Sequence, residues 1–248
     1  MDLSHFFKDT PKAALAFSGG VDSAYLLYAA MHLGADVRAY YVKSAFQPQF
    51  ELEDARRLAG QLSADLRILE VDVLTDSNIA ENPCDRCYHC KKRIFAAIAQ
   101  AAAEDGYQVL LDGTNASDEE GDRPGMRALR ELEVRSPLRE CGLTKETIRG
   151  LSKEAGLFTW DKPAYACLAT RIPTGETITG EKLQAAEAAE DYLFTLGFTD
   201  FRVRRLGEAA RLQFPAGQME KVLFKREEIL TELKRYYQAV LLDLEGRE

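Results

Sequence analysis

The sequence predicts an α/β protein: a parallel, doubly wound sheet followed by a small C-terminal α+β domain. Two observations support this. In the first two thirds of the chain, short apolar runs alternate with amphipathic helical patterns, as in βαβ units of a parallel sheet covered on both faces. After about residue 175, the pattern changes to helix–strand–strand–helix–strand. We therefore expect one domain over residues 1–175 and a second over 176–248.

The predicted elements follow from apolar periodicity and from the turns between them. In the first domain, strands are expected at Lys12–Phe17, Val37–Val42, Asp65–Val73 and Gln108–Leu111, with helices at Asp22–Leu33, Glu51–Leu62, Cys87–Ala103 and Lys145–Ala155. In the second domain, helices are expected at Glu181–Leu196 and Gln218–Tyr236, with strands at Phe201–Leu206, Ala210–Phe214 and Ala239–Leu244. Ligands of parallel sheets bind at the carboxyl ends of the strands, so the turns after Phe17, Val42 and Leu111 are candidate sites.

Composition excludes several classes of protein. The chain has 248 residues, of which 46% are hydrophobic, so it can bury a core without disulfides. Its 32 basic and 40 acidic residues give a net charge of −8, which argues against nucleic acid as a partner. There is no apolar run of the roughly 18–20 residues that a membrane span needs and no signal-peptide pattern, so we expect a cytoplasmic protein with no membrane partner.

The segment Ser18–Ser23 is the first candidate site. It follows a predicted strand and opens a helix, and its members are Ser18, Gly19, Gly20, Val21, Asp22 and Ser23. Glycines let the backbone approach a ligand, and the free amides of a helix N-terminus favour an anion. Asp22 can hold Mg²⁺. The lysine of a Walker A motif, which contacts the β- and γ-phosphates, is missing. This suits a loop that binds pyrophosphate while the reaction occurs at the α-phosphorus. The alternative is an ordinary Gly-Gly turn capped by Ser18.

A polar segment after the fourth predicted strand is expected beside this loop. It contains Asp112, Gly113, Thr114, Asn115, Asp118, Glu119, Asp122 and Arg123. Its carboxylates could hold Mg²⁺ or act as general bases, and Arg123 could face a phosphate. Lys145, at the start of a later helix, could neutralise the α-phosphate. The alternative is a solvated acidic loop with an unrelated surface lysine.

Five cysteines are unusual in a chain expected in a reducing compartment, where structural disulfides are rare. Cys84, Cys87 and Cys90 are spaced three apart, so Cys87 and Cys90 share one face of the predicted helix. With the distant Cys167 they could ligate zinc or an iron–sulfur cluster. Structural zinc or unliganded thiols remain alternatives. Cys141 is expected to be a small buried apolar residue.

Two arginines alternate along a predicted strand of the second domain. Arg202 and Arg204 therefore point to the same face, where their guanidinium groups could bind a phosphate monoester. The alternative is a pair of charges on an exposed strand.

Several segments together resemble the LarE family of ATP-dependent sacrificial sulfur transferases, within the PP-loop ATP pyrophosphatase superfamily. They are Ser18–Ser23, Asn82–Lys92, Asp112–Gly125, Trp160–Gly175 and Phe201–Arg204. The resemblance covers nearly the whole chain and implies a PP-loop (HUP-like) fold. It also implies that ATP and Mg²⁺ are used to adenylate the carboxylates of pyridinium-3,5-biscarboxylic acid mononucleotide. Sulfur then replaces AMP, in a step toward the nickel-pincer cofactor of lactate racemase.

The same resemblance implies roles for individual residues. Cys167 matches the cysteine that gives up its sulfur in single-cysteine members. In members with further cysteines, a [4Fe-4S] cluster carries sulfide, and the ligands implied here are Cys87, Cys90 and Cys167, with Cys84 a spare. Substrate contacts are implied for Arg171, Arg202, Arg204 and Glu190. A substrate-site or metal-binding role is implied for Glu119. The resemblance also implies that the protein forms a homo-oligomer. Gln213 stands where many relatives carry glutamate. The sulfur donor is unknown.

Two other functions compete with this interpretation. One is a tRNA thiolase of the same superfamily, which the net charge of −8 disfavours. The other is a non-catalytic nucleotide-binding module stabilised by zinc, which the intact Ser18–Ser23 segment disfavours.

Overall fold

The structure, a computed structural model, describes residues 2–118 and 124–247. Its N-terminal part contains a sheet of four strands: β1 (Lys12–Ala16), β2 (Asp36–Lys43), β3 (Leu66–Glu70) and β4 (Leu110–Leu111). They lie in the order β3–β2–β1–β4, and all three pairings are parallel. The predicted α/β fold with a parallel sheet is confirmed.

Helices alternate with these strands. They are α1 (Leu3–Asp9), α2 (Val21–His32), α3 (Gln49–Leu62), α4 (Ser77–Ala80), α5 (Arg86–Glu104), α6 (Pro124–Glu131), α7 (Pro137–Glu140) and α8 (Lys145–Glu154). The four that the sequence predicts, α2, α3, α5 and α8, agree with the structure to within two residues at each end. No helix of the described segments is long and apolar enough to cross a membrane.

Strand β2 shows how the sheet is covered on both faces. Successive side chains of a strand point to opposite faces. Ala39 and Tyr41 pack into a core that includes α1, α2 and α3, whereas Tyr40 and Val42 pack against Ile98 and its neighbours on α5. Because both faces are buried, the strand is almost continuously apolar, as the sequence pattern indicated.

The C-terminal part has its own sheet and core. Its strands are β5 (Arg202–Leu206), β6 (Ala209–Gln213) and β7 (Ala239–Leu242), and its helices are α9 (Gly180–Thr195), α10 (Met219–Phe224) and α11 (Arg226–Leu233). β5 pairs antiparallel with β6, and β6 pairs parallel with β7. Phe198, Phe201 and Phe214 pack with apolar residues of α9, α10 and α11 to form the core.

The single helix predicted over Gln218–Tyr236 is wrong. α10 ends at Phe224 and α11 begins at Arg226, with Lys225 between them at φ −91° and ψ 10°. The amide of Lys225 still donates to the carbonyl of Lys221, and the amide of Ile229 donates to the carbonyl of Lys225. The interruption is therefore a one-residue kink that leaves the apolar period intact, and such a kink is invisible in the sequence pattern.

Packing divides the chain into two compact units. The N-terminal unit comprises Met1–Val73 and Asp85–Lys162, and the C-terminal unit comprises Leu74–Cys84 and Pro163–Glu248. Compact units need not coincide with domains that fold alone, so the domain boundary expected at residue 175 stays a prediction. The division places Cys87 and Cys90 in the N-terminal unit and Cys84 and Cys167 in the C-terminal unit.

One buried tyrosine and two arginines converge on a single carboxylate in the N-terminal unit. Asp105 Oδ2 accepts hydrogen bonds from Tyr40 Oη at 2.8 Å and Arg67 Nη1 at 2.9 Å, and lies 2.7 Å from Arg38 Nη1. Arg67, then Tyr40 and Arg38, stabilise the charged carboxylate and lower the pKa of Asp105 to about 2, from an ordinary 3.8.

We expect Asp105→Asn to destabilise the protein at neutral pH but not in acid. A carboxylate whose pKa is depressed in the folded state contributes stability above its unfolded pKa, and this is lost as the pH falls from about 4 to about 2. The urea midpoints of the wild type and the variant should therefore differ at pH 7 and converge as the pH falls through this window. A difference in urea midpoint that stays constant with pH would show that the charge of Asp105 does not stabilise the network.

Candidate active site

The Ser18–Ser23 loop closes on itself between β1 and α2. Ser18 Oγ lies 3.1 Å from Ser23 Oγ and accepts a hydrogen bond from the amide of Gly20 at 3.3 Å. Gly19 has φ +72°, a left-handed conformation that favours glycine, and a Cβ there would lie 3.3 Å from the Cα of Ala55 on α3. The loop thus depends on glycine both for its backbone conformation and for its close approach to α3.

The N-terminus of α2 is open to an anion. Its N-cap is Gly20, which supplies no side-chain hydrogen bond to the first turn. Amides at a helix N-terminus that no side chain caps carry partial positive charge and can bind phosphate oxygens. We conclude that the geometry expected of a phosphate-binding loop is present.

Asp22 is held by two partners at this helix end. Lys145 Nζ lies 2.5 Å from Asp22 Oδ2, and Asn115 Nδ2 lies 3.4 Å from Asp22 Oδ1. Lys145 is the first residue of α8, and its amide donates to Ser117 Oγ at 2.9 Å. The structure therefore brings together the loop, the turn after β4 and Lys145.

The turn after β4 is fixed by its own carboxylates. Asp112 accepts hydrogen bonds from Ser136 Oγ at 2.6 Å, from the amide of Thr114 at 3.3 Å and from the Thr114 hydroxyl. Asp118 Oδ2 accepts from the amide of Asn115 at 2.9 Å. These carboxylates shape the turn. The sequence-predicted Glu119 and Arg123 lie outside the described residues, as does Asp122.

Gly113 is the point of closest approach between this turn and α2. A Cβ at Gly113 would lie 2.9 Å from the amide nitrogen of Ser23 and 3.2 Å from its Cα. Only a glycine lets the turn after β4 lie against the start of α2. Its role in this contact is steric, and the predicted ligand contact of Gly113 stays a prediction.

The C-terminal unit contains a second cluster, built around a buried ion pair. Arg171 Nε and Nη2 donate to the two carboxylate oxygens of Glu190 at 2.7 and 2.9 Å, and both side chains are at most 1% exposed. Burial lowers the pKa of Arg171, but the hydrogen bonds and charge of Glu190 more than offset this, so that the pKa is raised. The Glu190 carboxylate also accepts from the amide of Val203 at 2.8 Å and from the Tyr165 hydroxyl.

Arg202 and Arg204 flank this pair, and Arg202 Nη1 lies 3.8 Å from Asp200 Oδ1. Both lie on β5, as predicted, and their guanidinium groups donate to backbone carbonyls of residues 164–170. Burial lowers the pKa of both side chains, and so do nearby cations, Arg171 first. A cluster in which cations destabilise one another gains free energy when an anion binds.

Tyr165 is a member of this cluster that sequence reasoning missed. Its ring centroid lies 4.5 Å from Cζ of Arg171 and 5.1 Å from Cζ of Arg202. The ring of Tyr165 thus contacts two guanidinium groups, while its hydroxyl donates to Glu190. Tyr165 therefore separates the two cations. The available signal was its place two residues before Cys167 in the motif.

The cysteines differ in their surroundings. None of the five, all within the described residues, is in a disulfide; Cys84 and Cys87 are exposed and the others half-buried. Burial raises the pKa of Cys141, which packs against the core of the N-terminal unit but is half-buried, where the sequence predicts a buried residue. Cys87 and Cys90 lie three residues apart in the first turns of α5. In the part of the chain that the structure describes, no three His, Cys, Asp or Glu side chains form a group that could hold a metal ion.

Comparisons with known proteins place this architecture in a family. Residues 12–82 match a family model described as "Queuosine biosynthesis protein QueC". An uncharacterized protein of Synechocystis sp. is 37% identical over 99% of this chain and 93% of its own length. The pyridinium-3,5-bisthiocarboxylic acid mononucleotide synthase of Lactiplantibacillus plantarum is 35% identical over 96% of this chain and 88% of its own. The chain belongs to the LarE family.

Similarity to another class of enzyme is weaker. A tRNA-specific 2-thiouridylase, MnmA 2 of Clostridium botulinum, is 26% identical over 60% of this chain and 51% of its own length. The QueC match ends at residue 82, so the arginines of the C-terminal unit lie outside it. LarE-family similarity extends over nearly the whole chain. The family resemblance predicted from motifs is confirmed.

Proposed function

We propose that the chain is an ATP-dependent sulfur transferase that converts the carboxylates of pyridinium-3,5-biscarboxylic acid mononucleotide to thiocarboxylates, a step toward the nickel-pincer cofactor of lactate racemase. The observation that carries the proposal is the open N-terminus of α2, with Asp22 and Lys145 paired beside it, in a LarE-family chain. We expect the enzyme to work in the cytoplasm as a homo-oligomer.

In the N-terminal unit, the first half-reaction is adenylation. The α2 amides and the Ser18 and Ser23 hydroxyls bind the pyrophosphate part of ATP, and Asp22 holds Mg²⁺. Lys145 then leaves Asp22 and pairs with the α-phosphate, whose negative charge it balances. A substrate carboxylate oxygen attacks the α-phosphorus, the bond to the pyrophosphate oxygen breaks, and pyrophosphate leaves as an acyl-adenylate forms. Glu119 is proposed to bind the metal or to act as a general base. Arg123 is proposed to contact a phosphate.

The second half-reaction replaces the adenylate by sulfur. A sulfur nucleophile attacks the acyl carbon, the carbon–oxygen bond to AMP breaks, and AMP leaves with the electron pair. Arg202 and Arg204, with Arg171 and Glu190 behind them, are proposed to bind the phosphate of the mononucleotide. Two guanidinium groups whose pKa values are lowered by burial and by neighbouring cations suit a phosphate dianion.

For the sulfur source, we propose a [4Fe-4S] cluster held by Cys87, Cys90 and Cys167, with Cys84 a spare thiol. Cys87 and Cys90, three residues apart on one helix face, suit two ligands of such a cluster, which would supply a bound sulfide. Sacrifice of the Cys167 sulfur is the alternative. Protein purified without oxygen should be brown and contain about four irons and four sulfides per chain. A colourless protein with zinc alone would refute the cluster.

The decisive test of the function follows both products. With ATP, Mg²⁺ and the pyridinium mononucleotide, we expect pyrophosphate release and a mass change from exchange of oxygen for sulfur. Asp22→Asn should slow pyrophosphate release by about 100-fold or more, because a metal that stabilises the transition state contributes several kcal/mol. Asp9→Asn, at the exposed end of α1, is the control and should leave the rate unchanged.

A tRNA thiolase is the second candidate, supported by the similarity to MnmA 2 over part of the chain. The same assay separates the two functions. If tRNA stimulates pyrophosphate release and the pyridinium mononucleotide does not, the proposed substrate is wrong.

A further inference from the structure

Three arginines of the C-terminal unit donate to one backbone segment, residues 164–170, which carries Cys167 and is called the Cys167 loop. Each donates a hydrogen bond to a different group of the loop, on both sides of the cysteine. The pairs are Arg202 Nη2 with the carbonyl of Ala164 at 2.6 Å, Arg171 Nη1 with the carbonyl of Ala166 at 3.0 Å, and Arg204 Nη1 with the carbonyl of Thr170 at 2.6 Å. These bonds add to two that the loop makes within itself, from the amide and the hydroxyl of Thr170 to the carbonyl of Cys167, both at 2.9 Å.

We propose that Arg202 and Arg204 position the Cys167 loop in the anion-free protein and release it when an anion binds to them. The inference rests on the phosphate-binding role proposed above for these two side chains. A carbonyl is a neutral acceptor, whereas phosphate oxygens form charge-assisted hydrogen bonds that are roughly twice as strong. A phosphate that reaches the two guanidinium groups therefore competes successfully with the carbonyls at both ends of the loop.

Arg171 does not take part in this exchange. Its Nε and Nη2 are bound to Glu190 in a pair that is almost completely buried, and its Nη1 donates to Thr170 Oγ1 at 2.8 Å as well as to the loop carbonyl. Anion binding therefore frees the ends of the Cys167 loop and leaves its centre attached. The expected change is a local opening around Cys167, with the core of the unit intact.

Gln213 keeps Arg204 available for an anion. Its Oε1 accepts from Arg204 Nε at 2.6 Å, and its Nε2 donates to Asp243 Oδ2 at 2.9 Å, so both ends of the amide are oriented. A glutamate at this position would neutralise Arg204 and repel Asp243. The neutral amide fixes Arg204 without cancelling its charge.

The functional consequence is an order of events. The substrate phosphate and the loop carbonyls cannot fully occupy the same donors, so the surroundings of Cys167 depend on whether substrate is bound. Cys167 then becomes most accessible when the substrate is bound.

The test measures alkylation of Cys167 by iodoacetamide in the full chain, freed of metal by a chelator, with each cysteine followed by peptide mass spectrometry. Inorganic phosphate is the probe, against chloride at equal ionic strength. Phosphate should raise the rate at Cys167 about tenfold, as expected for the loss of one or two loop hydrogen bonds. The rate at Cys141, in the N-terminal unit, should not change and serves as the internal reference.

Three variants separate positioning from a merely structural role. Arg204→Gln should raise the rate at Cys167 without phosphate and remove most of the response to it. Gln213→Glu should keep the rate low and weaken the response. Arg235→Gln, an exposed arginine paired with Glu232 on α11, should behave like the wild type.

The outcomes distinguish this proposal from the function on which it rests. If calorimetry detects phosphate binding but the rate at Cys167 does not change, the coupling is wrong and the phosphate site stands. If Arg204→Gln leaves the basal rate at Cys167 unchanged, the positioning role is wrong. If phosphate does not bind at all, both the coupling and the proposed phosphate role of Arg202 and Arg204 fail.

Discussion

Replacing Glu190 by glutamine is expected to destabilise the C-terminal unit by about 3–5 kcal/mol, the usual cost of removing one partner of a buried ion pair. The variant would leave the cation of Arg171 buried without its counter-charge. It would also weaken the acceptor for Tyr165 and for the amide of Val203, because these bonds share the same carboxylate.

The measurement can be made specific to the unit. The chain has one tryptophan, Trp160, which belongs to the N-terminal unit, whereas circular dichroism reports on both. In urea, Glu190→Gln should shift the transition seen by circular dichroism much more than the one seen by fluorescence. Asp191→Asn, the exposed neighbour on α9, is the matched control and should cost no more than about 0.5 kcal/mol.

A double variant tests the cause. Removing both charges, with Arg171→Met and Glu190→Leu, should restore much of the lost stability, since well-packed apolar side chains can replace a buried pair. If the double variant is as unstable as the sum of the two single variants, the charges do not act as a pair and the argument fails.

The N-terminal site was largely predictable because it depends on local signals and on one rule of topology. Gly19 and Gly20 after an apolar run mark the loop, and the helix pattern begins at the next residue. Parallel strands bring their carboxyl ends to one edge, which predicts that the turn after β4 meets the loop. The contact of Lys145 with Asp22 could only be suggested, because α8 enters the site through tertiary packing that no local pattern encodes.

Apart from Tyr165, the members of the C-terminal cluster were predictable from the sequence, but their contacts were not. Alternation on β5 predicts Arg202 and Arg204 on one face, and in the structure each donates to a different carbonyl of the same loop. Their donation to backbone carbonyls was not foreseen, because the path of an irregular loop has no period to read. The contacts of Gln213 were likewise not predictable. The sequence shows a neutral amide where many relatives carry glutamate, and only the structure shows that this amide contacts Arg204 and Asp243.

Gly113→Ala is expected to abolish most ATP-dependent activity while leaving the fold intact. The new Cβ would lie 2.9 Å from the amide nitrogen of Ser23, 3.2 Å from its Cα and 3.4 Å from the carbonyl carbon of Asp22. All three atoms belong to the backbone of α2's first turn, so no side chain can rotate away to relieve the contact. The turn after β4 and the phosphate loop must therefore move apart.

That movement acts on the reaction because the displaced backbone holds the groups that position ATP. A displacement approaching 1 Å at a reacting centre costs about 100-fold in rate, so pyrophosphate release should fall by about that factor. Circular dichroism should remain that of the wild type, because the sheet core is unchanged. Gly150→Ala, inside α8 with no atom within 4 Å of the new Cβ, is the matched control. It should keep full activity and gain about 0.5–1 kcal/mol of stability, since alanine favours a helix interior. Equal activity in the two variants would mean that the approach of Gly113 to α2 does not determine the geometry of the loop.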